Sequence, residues 1–169
     1  MKRLETDRLT LRPCTEDDLA SFGLVHPNPE RELDDGLAHW REYGFGPWTL
    51  IDRASGEFVG VLELHYAGEG LERTAPDEFE IGWVLHESHR GRGLATEAAE
   101  AVLDHAFRHL GTPWIVAYIH PENAASLRVA EKLGMESEGL GQARAGPMML
   151  YRLYGEGPAT RTGPSIHEP

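Results

Sequence analysis

Polar and apolar positions change their spacing several times along the chain. Over Arg8–Arg12, Leu9 and Leu11 alternate with polar neighbours, the pattern of a half-buried strand, and Pro13 ends it. "TEDDLASFGLV" then takes a helical spacing. Thr15 stands where an N-cap would, and Glu16, Asp17 and Asp18 suit a first turn. A second helix is predicted from about Glu30 to Tyr43. "WTLIDR" and "EFVGVLELHY" flank "ASG", which predicts a hairpin turning at Ser55-Gly56. Residues 67–78 read as a polar loop and Phe79–His86 as a strand, with Gly82 marking a bulge or a close backbone approach. Further on, Ala95, Ala98, Ala99, Val102, Leu103, Ala106, Phe107 and Leu110 recur at i, i+3, i+4, and Gly111 and Pro113 stop that helix. Trp114–His120 reads as a strand and "PENAASLRVAEKLG" as a helix ended by Gly134. Met148–Tyr154 reads as a last strand, with one more strand open around Met135–Arg144.

This order predicts an α+β domain, a mixed sheet with helices on both faces, over residues 1–154. The Gly/Pro-rich end, residues 155–169, reads as a flexible tail. The 169-residue chain carries a net charge of −12, which argues against a basic nucleic-acid-binding surface. An acidic field favours a cationic partner such as an amine, and solubility would favour it equally. The single cysteine, Cys14, allows neither an internal disulfide nor a cysteine-based zinc site, and reads as a small packing residue. No run approaches a membrane span and the N-terminus lacks a signal peptide's apolar core, so no membrane partner and a cytoplasmic location are expected.

"HRGRGLATEA", His89–Ala98, stands between a predicted strand and a predicted helix. Amides at a helix start are unpaired and partly positive, glycines let an anion come close, and Arg90 and Arg92 add charge. A phosphate or pyrophosphate cradle is the reading, although "RGRG" alone also fits a solvated turn. It is not a P-loop, which needs Gly-x-x-x-x-Gly-Lys-Ser/Thr, nor a G-x-G-x-x-G dinucleotide loop, since no third glycine follows Gly91 and Gly93.

Arg90-x-x-Gly93-x-Ala95 resembles the (Gln/Arg)-x-x-Gly-x-(Gly/Ala) signature of the GNAT acyltransferases. "HPENAASLRVAEKLGM" (His120–Met135), "ETDRLTLRP" (Glu5–Pro13), "FEIGWVL" and "SGEFVGVLEL" resemble, in order, segments of the ribosomal-protein N-terminal acetyltransferase (RimJ/RimL) branch. The resemblance spans nearly all of residues 4–154. It implies the GNAT fold, a mostly antiparallel central sheet of six to seven strands. It further implies acetyl-CoA as donor, no metal, and direct transfer in a ternary complex to a primary amine, either a peptide N-terminus or a small molecule. Amides from Arg90, Gly91, Arg92, Gly93, Leu94 and Ala95 would hold the pyrophosphate. Trp83, Val84 and Leu85 would pair with the pantetheine arm, and a free N–H near Val84 would polarise the thioester. Glu80 would take the amine's proton, Ser126 would serve the departing thiolate, and Asn123 would contact the CoA arm while also fitting as a helix N-cap. Relatives are often dimers, so a homodimer is expected by analogy.

Each role has a plainer counterpart: a structural carboxylate for Glu80, a capping residue for Ser126. A non-catalytic acyl-CoA-binding module is the rival from another class. His105 and His109, at i, i+4, read as a solvated pair rather than metal ligands. His86, His89 and His120 flank the cleft without an assigned job. Tyr118 and Tyr151 are candidates to line the acceptor site, which is expected from the region of Gly23–Trp48 and from the C-terminal hairpin.

Overall fold

A computed structural model describes residues 3–155, so the tail expected over 155–169 lies, apart from its first residue, outside the described residues. One eight-stranded sheet organises the chain, in the order β1-β2-β3-β4-β5-β6-β8-β7. The strands are β1 (Leu4–Glu5), β2 (Leu9–Pro13), β3 (Trp48–Asp52), β4 (Phe58–Tyr66), β5 (Phe79–Leu85), β6 (Trp114–Ile119), β7 (Glu136–Ala143) and β8 (Gly146–Tyr154). Every neighbouring pair is antiparallel except β5–β6. The sheet exceeds the expected six to seven strands because the two residues of β1 pair with Leu11 and Thr10 of β2, too short a run to leave a period in the sequence.

Helices cover both faces. On one, α3 (Leu94–His105) turns Leu94, Ala98, Ala99 and Val102 into the core against Leu62, Leu64, Ile81 and Ile115. It runs on as a π-helical turn, Ala106–Leu110, and stops at Gly111, whose φ of 71° is the left-handed cap expected there. α4 (Ala124–Lys132) adds Ala130 to the same core. On the other face lie α1 (Leu19–Phe22) and α2 (Pro29–Tyr43), which pack Phe22 and Leu33 on Val61 and Cys14. Burial pushes the Cys14 thiol up to about 11, so it stays a protonated packing residue at neutral pH.

Two local expectations change. The helix read from Thr15 onward is a 3₁₀ turn, Glu16–Asp18, followed by only the four residues of α1. Its geometry is set by Asp18, a residue 3% exposed, whose carboxylate accepts from Arg12 at 2.6 and 2.7 Å, from Thr15 N–H at 2.8 Å and from Thr49 Oγ1 at 3.0 Å. His105 is not solvated: it is buried edge-on against Trp48 and stacks on His109. The i, i+4 spacing therefore spans the rim of the core face.

The Asp18 cluster ties the α1–α2 layer to β2 and β3. Burial raises the Asp18 carboxyl, but the bonds from Arg12, Thr15 and Thr49 outweigh it and hold it below the ordinary range. A depressed carboxylate contributes stability that is present above the unfolded value and lost as pH falls through the folded one. Asp18→Ala is expected to cost about 2–4 kcal/mol in denaturant unfolding at pH 7, below the full cost of breaking a buried pair because Arg12 is partly solvated. The deficit should shrink below about pH 4.

Candidate active site

Strand β5 is shared unequally by its neighbours. Toward β4 it pairs along its whole length, from Tyr66↔Phe79 to Gly60↔Leu85, without a register shift. Toward β6 it pairs only at Phe79↔Ile115 and Glu80↔Val116, and then the two parallel strands splay apart. Gly82 is thus no bulge. It lies opposite Glu63, and a Cβ there would come 3.2 Å from Glu63 Oε2, so the glycine permits a close approach.

The ladder also decides which amides of β5 are free. Ala67 N–H donates to Glu78 O and His86 N–H to Val59 O, one bond beyond each end of the β4–β5 pairing. Antiparallel pairs alternate between bonded and non-bonded, so Glu80, Gly82 and Val84 turn their backbone groups to β4. The free N–H expected near Val84 is therefore not Val84's own, whose amide is committed to the ladder. The N–H and C=O groups of Ile81, Trp83 and Leu85 face the splay instead. Arg90 Nε donates to Leu85 O at 3.0 Å, as that parity requires.

Two cavities meet at the splay. The first, about 560 Å³, runs from Trp83, Val84 and Leu85 past Arg90, Gly91, Gly93, Leu94 and Ala95 to the face of α4. Gly91 and Gly93 have φ of 73° and 76°, and Gly93 is the N-cap of α3. The first-turn amides from Leu94 to Thr96 have no carbonyl one turn back, so they present unpaired donors at the cavity wall. Arg92 departs from expectation. Its guanidinium leaves the cavity and meets His89 Nδ1 at 3.1 Å, with Asp52 4.0 Å away, so only its backbone belongs to the loop. Behind the loop, Arg8 Nε donates to Glu97 at 2.7 Å and Arg8 Nη1 to Arg92 O at 2.8 Å, anchoring the turn to the start of β2. Arg128 and Lys132 of α4 line the cavity too and supply cations that the sequence reading passed over. Their i, i+4 spacing on from Asn123–Ala124 was the available signal.

The second cavity, about 330 Å³, opens on the other side of the same edge. Glu80, Trp83, Tyr118, His120, Asn123 and Ser126 line it together with His26, Glu63 and Met148. Trp83, Val84, Asn123 and Ser126 border both cavities, so a group in one meets a group in the other there. Asn123 is the N-cap of α4, its Oδ1 accepting from Ser126 N–H at 3.1 Å, which fixes Ser126 at the junction. Glu80 is half-buried. Burial raises its carboxyl above the usual range and Glu63 adds to the rise, while His65 and Arg144 pull the other way. Tyr118 lies in this cavity, but its hydroxyl is bonded to Thr74 Oγ1 at 2.7 Å and to Glu72 O. Tyr151 is in the core. His86 bonds Ser88, and His89 is buried beside Arg92, so of the flanking histidines His120 alone lines this cavity. The polar loop 67–78 is clamped to the β7–β8 hairpin: Arg152 bridges Glu78 and Glu138, and Arg144 donates to Ala67 O and Glu69 O.

The site is thus a strand splayed from its parallel partner, with a glycine-bearing helix start at its end. The chain belongs to the GNAT acetyltransferases. The sequence profile described as an acetyltransferase (GNAT) domain matches residues 8–136. A Bacillus subtilis protein of uncharacterised function, YkkB, is 36% identical over 150 residues, covering 79% of this chain and 84% of its own. An acetyltransferase of Agrobacterium tumefaciens superposes with a TM-score of 0.79 at 30% identity, over 92% of this chain and 95% of that one. An aminoglycoside acetyltransferase in complex with coenzyme A superposes with a TM-score of 0.69 at 25% identity, over 86% and 94% of the two chains. Among the described residues no helix is long and apolar enough to cross a membrane.

Proposed function

We propose that this GNAT N-acetyltransferase uses acetyl-CoA and moves the acetyl group directly to a primary amine, in a ternary complex formed across the splay. The carrying observation is that β5–β6 pairing stops at Glu80↔Val116, which leaves a strand edge with free amides between two cavities. The residues fit the donor. Unpaired amides at Leu94–Thr96, with Arg90, Arg128 and Lys132, suit a pyrophosphate, and the Ile81–Leu85 edge suits a strand-like amide chain. Acetyl-CoA supplies a thioester, whose C–S bond breaks as the C–N bond forms.

The remaining work falls to the chain. Trp83 N–H, at the border of both cavities, donates to the carbonyl oxygen, the role expected of an N–H near Val84. Glu80 accepts the ammonium's proton, through water where the gap requires it. Ser126 Oγ donates a hydrogen bond to the departing thiolate, which leaves as the thiol by taking the second proton that the nitrogen sheds on becoming an amide. No step needs a metal. The acceptor side carries two carboxylates and no lysine or arginine among its lining residues, which favours a cationic amine. The RimJ/RimL-type motif around Asn123 and Ser126 keeps a peptide N-terminus in view, and a cytoplasmic, homodimeric enzyme suits the resemblance.

The test is release of free CoA thiol from acetyl-CoA across polyamines, amino acids, aminoglycosides and short peptides. One class should stand out by tenfold or more in kcat/KM. Silence across the panel with acetyl-CoA still bound would favour the non-catalytic binding module.

A further inference from the structure

Beside Glu80, at the edge of the acceptor cavity, two of its lining residues, His26 and Glu63, meet Glu32 from outside the lining in a group of ligand atoms that the transfer reaction does not use. His26 follows α1, Glu32 is on α2 and Glu63 is on β4, and one nitrogen or oxygen from each lies within 4.8 Å of the others. His26 is nine-tenths buried, with 10% of its side chain exposed, and is held by stacking on Phe22 at 5.3 Å. Its Nε2 has no hydrogen-bond partner and stands 3.7 Å from Glu63 Oε1, beyond a hydrogen bond. A buried ring nitrogen left unpaired costs free energy unless something fills the gap. Packing aims this one at two carboxylates.

The spacing admits two kinds of cation. Metal–ligand distances of about 2.0–2.2 Å put neighbouring ligand atoms roughly 3.3–3.6 Å apart in a tetrahedral site. A primary ammonium has three donors, and N–H···O distances of about 2.7–2.9 Å put its acceptors roughly 4.4–4.8 Å apart. Atoms that all lie within 4.8 Å of one another can surround an ammonium, and the 3.7 Å between His26 and Glu63 is also near a metal's ligand spacing, so it is the acceptor role of the cavity that favours the ammonium. Glu63 lies opposite Gly82 on β5, and Glu80 is the diagonal neighbour on the same sheet face, about 7–8 Å along it. A short aliphatic chain spans that distance.

We propose that His26, Glu32 and Glu63 seat a second ammonium group, so that the acceptor is an aliphatic diamine or longer polyamine rather than a monoamine. The inference rests on the acceptor role given to this cavity. His26 accepts one N–H through Nε2 and the two carboxylates accept the others, while the amine at the far end of the chain meets Glu80. Gly82, having no side chain, keeps the space over the Glu63 carboxylate open.

Calorimetric titration of the CoA-bound protein with 1,4-diaminobutane and with n-butylamine tests this, alongside thiol release with each. The diamine is expected to bind at least tenfold more tightly. Glu63→Gln, and separately the exposed-site Glu32→Gln, should cut that ratio about tenfold, with the change in turnover falling on KM. Equal affinity for the two amines in the wild type would overturn the seat, as would variants that weaken both alike. One equivalent of Zn²⁺, lost in His26→Ala, with no preference for the diamine would make the cluster a metal site and overturn it too. The two readings fail separately. Thiol release with both amines but no diamine preference removes the seat and leaves the enzyme. Selective diamine binding without thiol release does the reverse.

Discussion

Gly93→Asp is expected to abolish CoA binding while leaving the fold in place. Gly93 is the N-cap of α3 at φ 76°, and it lines the donor cavity. A Cβ at this position meets only Arg8 Nη2, at 3.6 Å, which is ordinary contact. The protein therefore has room for the new side chain, and an aspartate would even find a cation beside it. The left-handed backbone costs a non-glycine residue about 1–2 kcal/mol. Helix capping returns little of that, because a capping aspartate needs extended backbone. The ligand is where the substitution does harm: a carboxylate would stand among the first-turn amides that a pyrophosphate needs. Titration calorimetry should show a loss of at least 100-fold in CoA affinity, about 2.7 kcal/mol. Gly93→Ala separates the causes, since it carries the strain and bulk without the charge and should fall between the two. CoA affinity retained in Gly93→Asp would mean that the glycine loop does not carry the anion.

Much of this donor side was legible in the sequence because it is local. Gly91, Gly93 and the alanine face of α3 sit within a dozen residues, and chain order alone puts the loop between a strand and a helix. What could not be read depends on distant pairing. Which amide near Val84 is free follows from which residues of β4 and β5 exchange hydrogen bonds, and that parity is set by bonds at Ala67–Glu78 and Val59–His86. Arg92 reads as a ligand cation until Asp52 and His89 are found beside it. His105 stands three residues on from Val102 and seven from Ala98, inside the buried stripe of α3, so its burial follows from the ordinary helical spacing that a reading of the His105–His109 pair alone overlooks. The acceptor side was least legible: His26, Glu63 and Glu80 come from three elements, and no spacing in the sequence brings them to one cavity.

Glu80→Gln is expected to lower turnover at neutral pH by about 10²–10⁴-fold with acetyl-CoA affinity nearly unchanged. Glutamine fills the same space and bonds as well, but it cannot take a proton. The pH profile carries the stronger signature. Burial and the neighbouring charge of Glu63 raise the Glu80 carboxyl, so the acid limb of kcat/KM should lie above the ordinary carboxylate range. Glu63→Gln removes the nearby negative charge and should move that limb to lower pH. Glu80→Gln should abolish it. Stability runs in the opposite direction. A carboxyl raised by folding makes ionisation unfavourable to the native state, so its cost is absent below the unfolded value and grows as pH rises through the folded one. Glu80→Gln should therefore raise Tm at pH 7 to 8 and leave it unchanged near pH 4. A merely structural Glu80 would lose stability on substitution and keep its turnover. Lost activity together with gained stability is the pattern of a group held ready at a site at the expense of the fold. Unchanged turnover would remove Glu80 as the base.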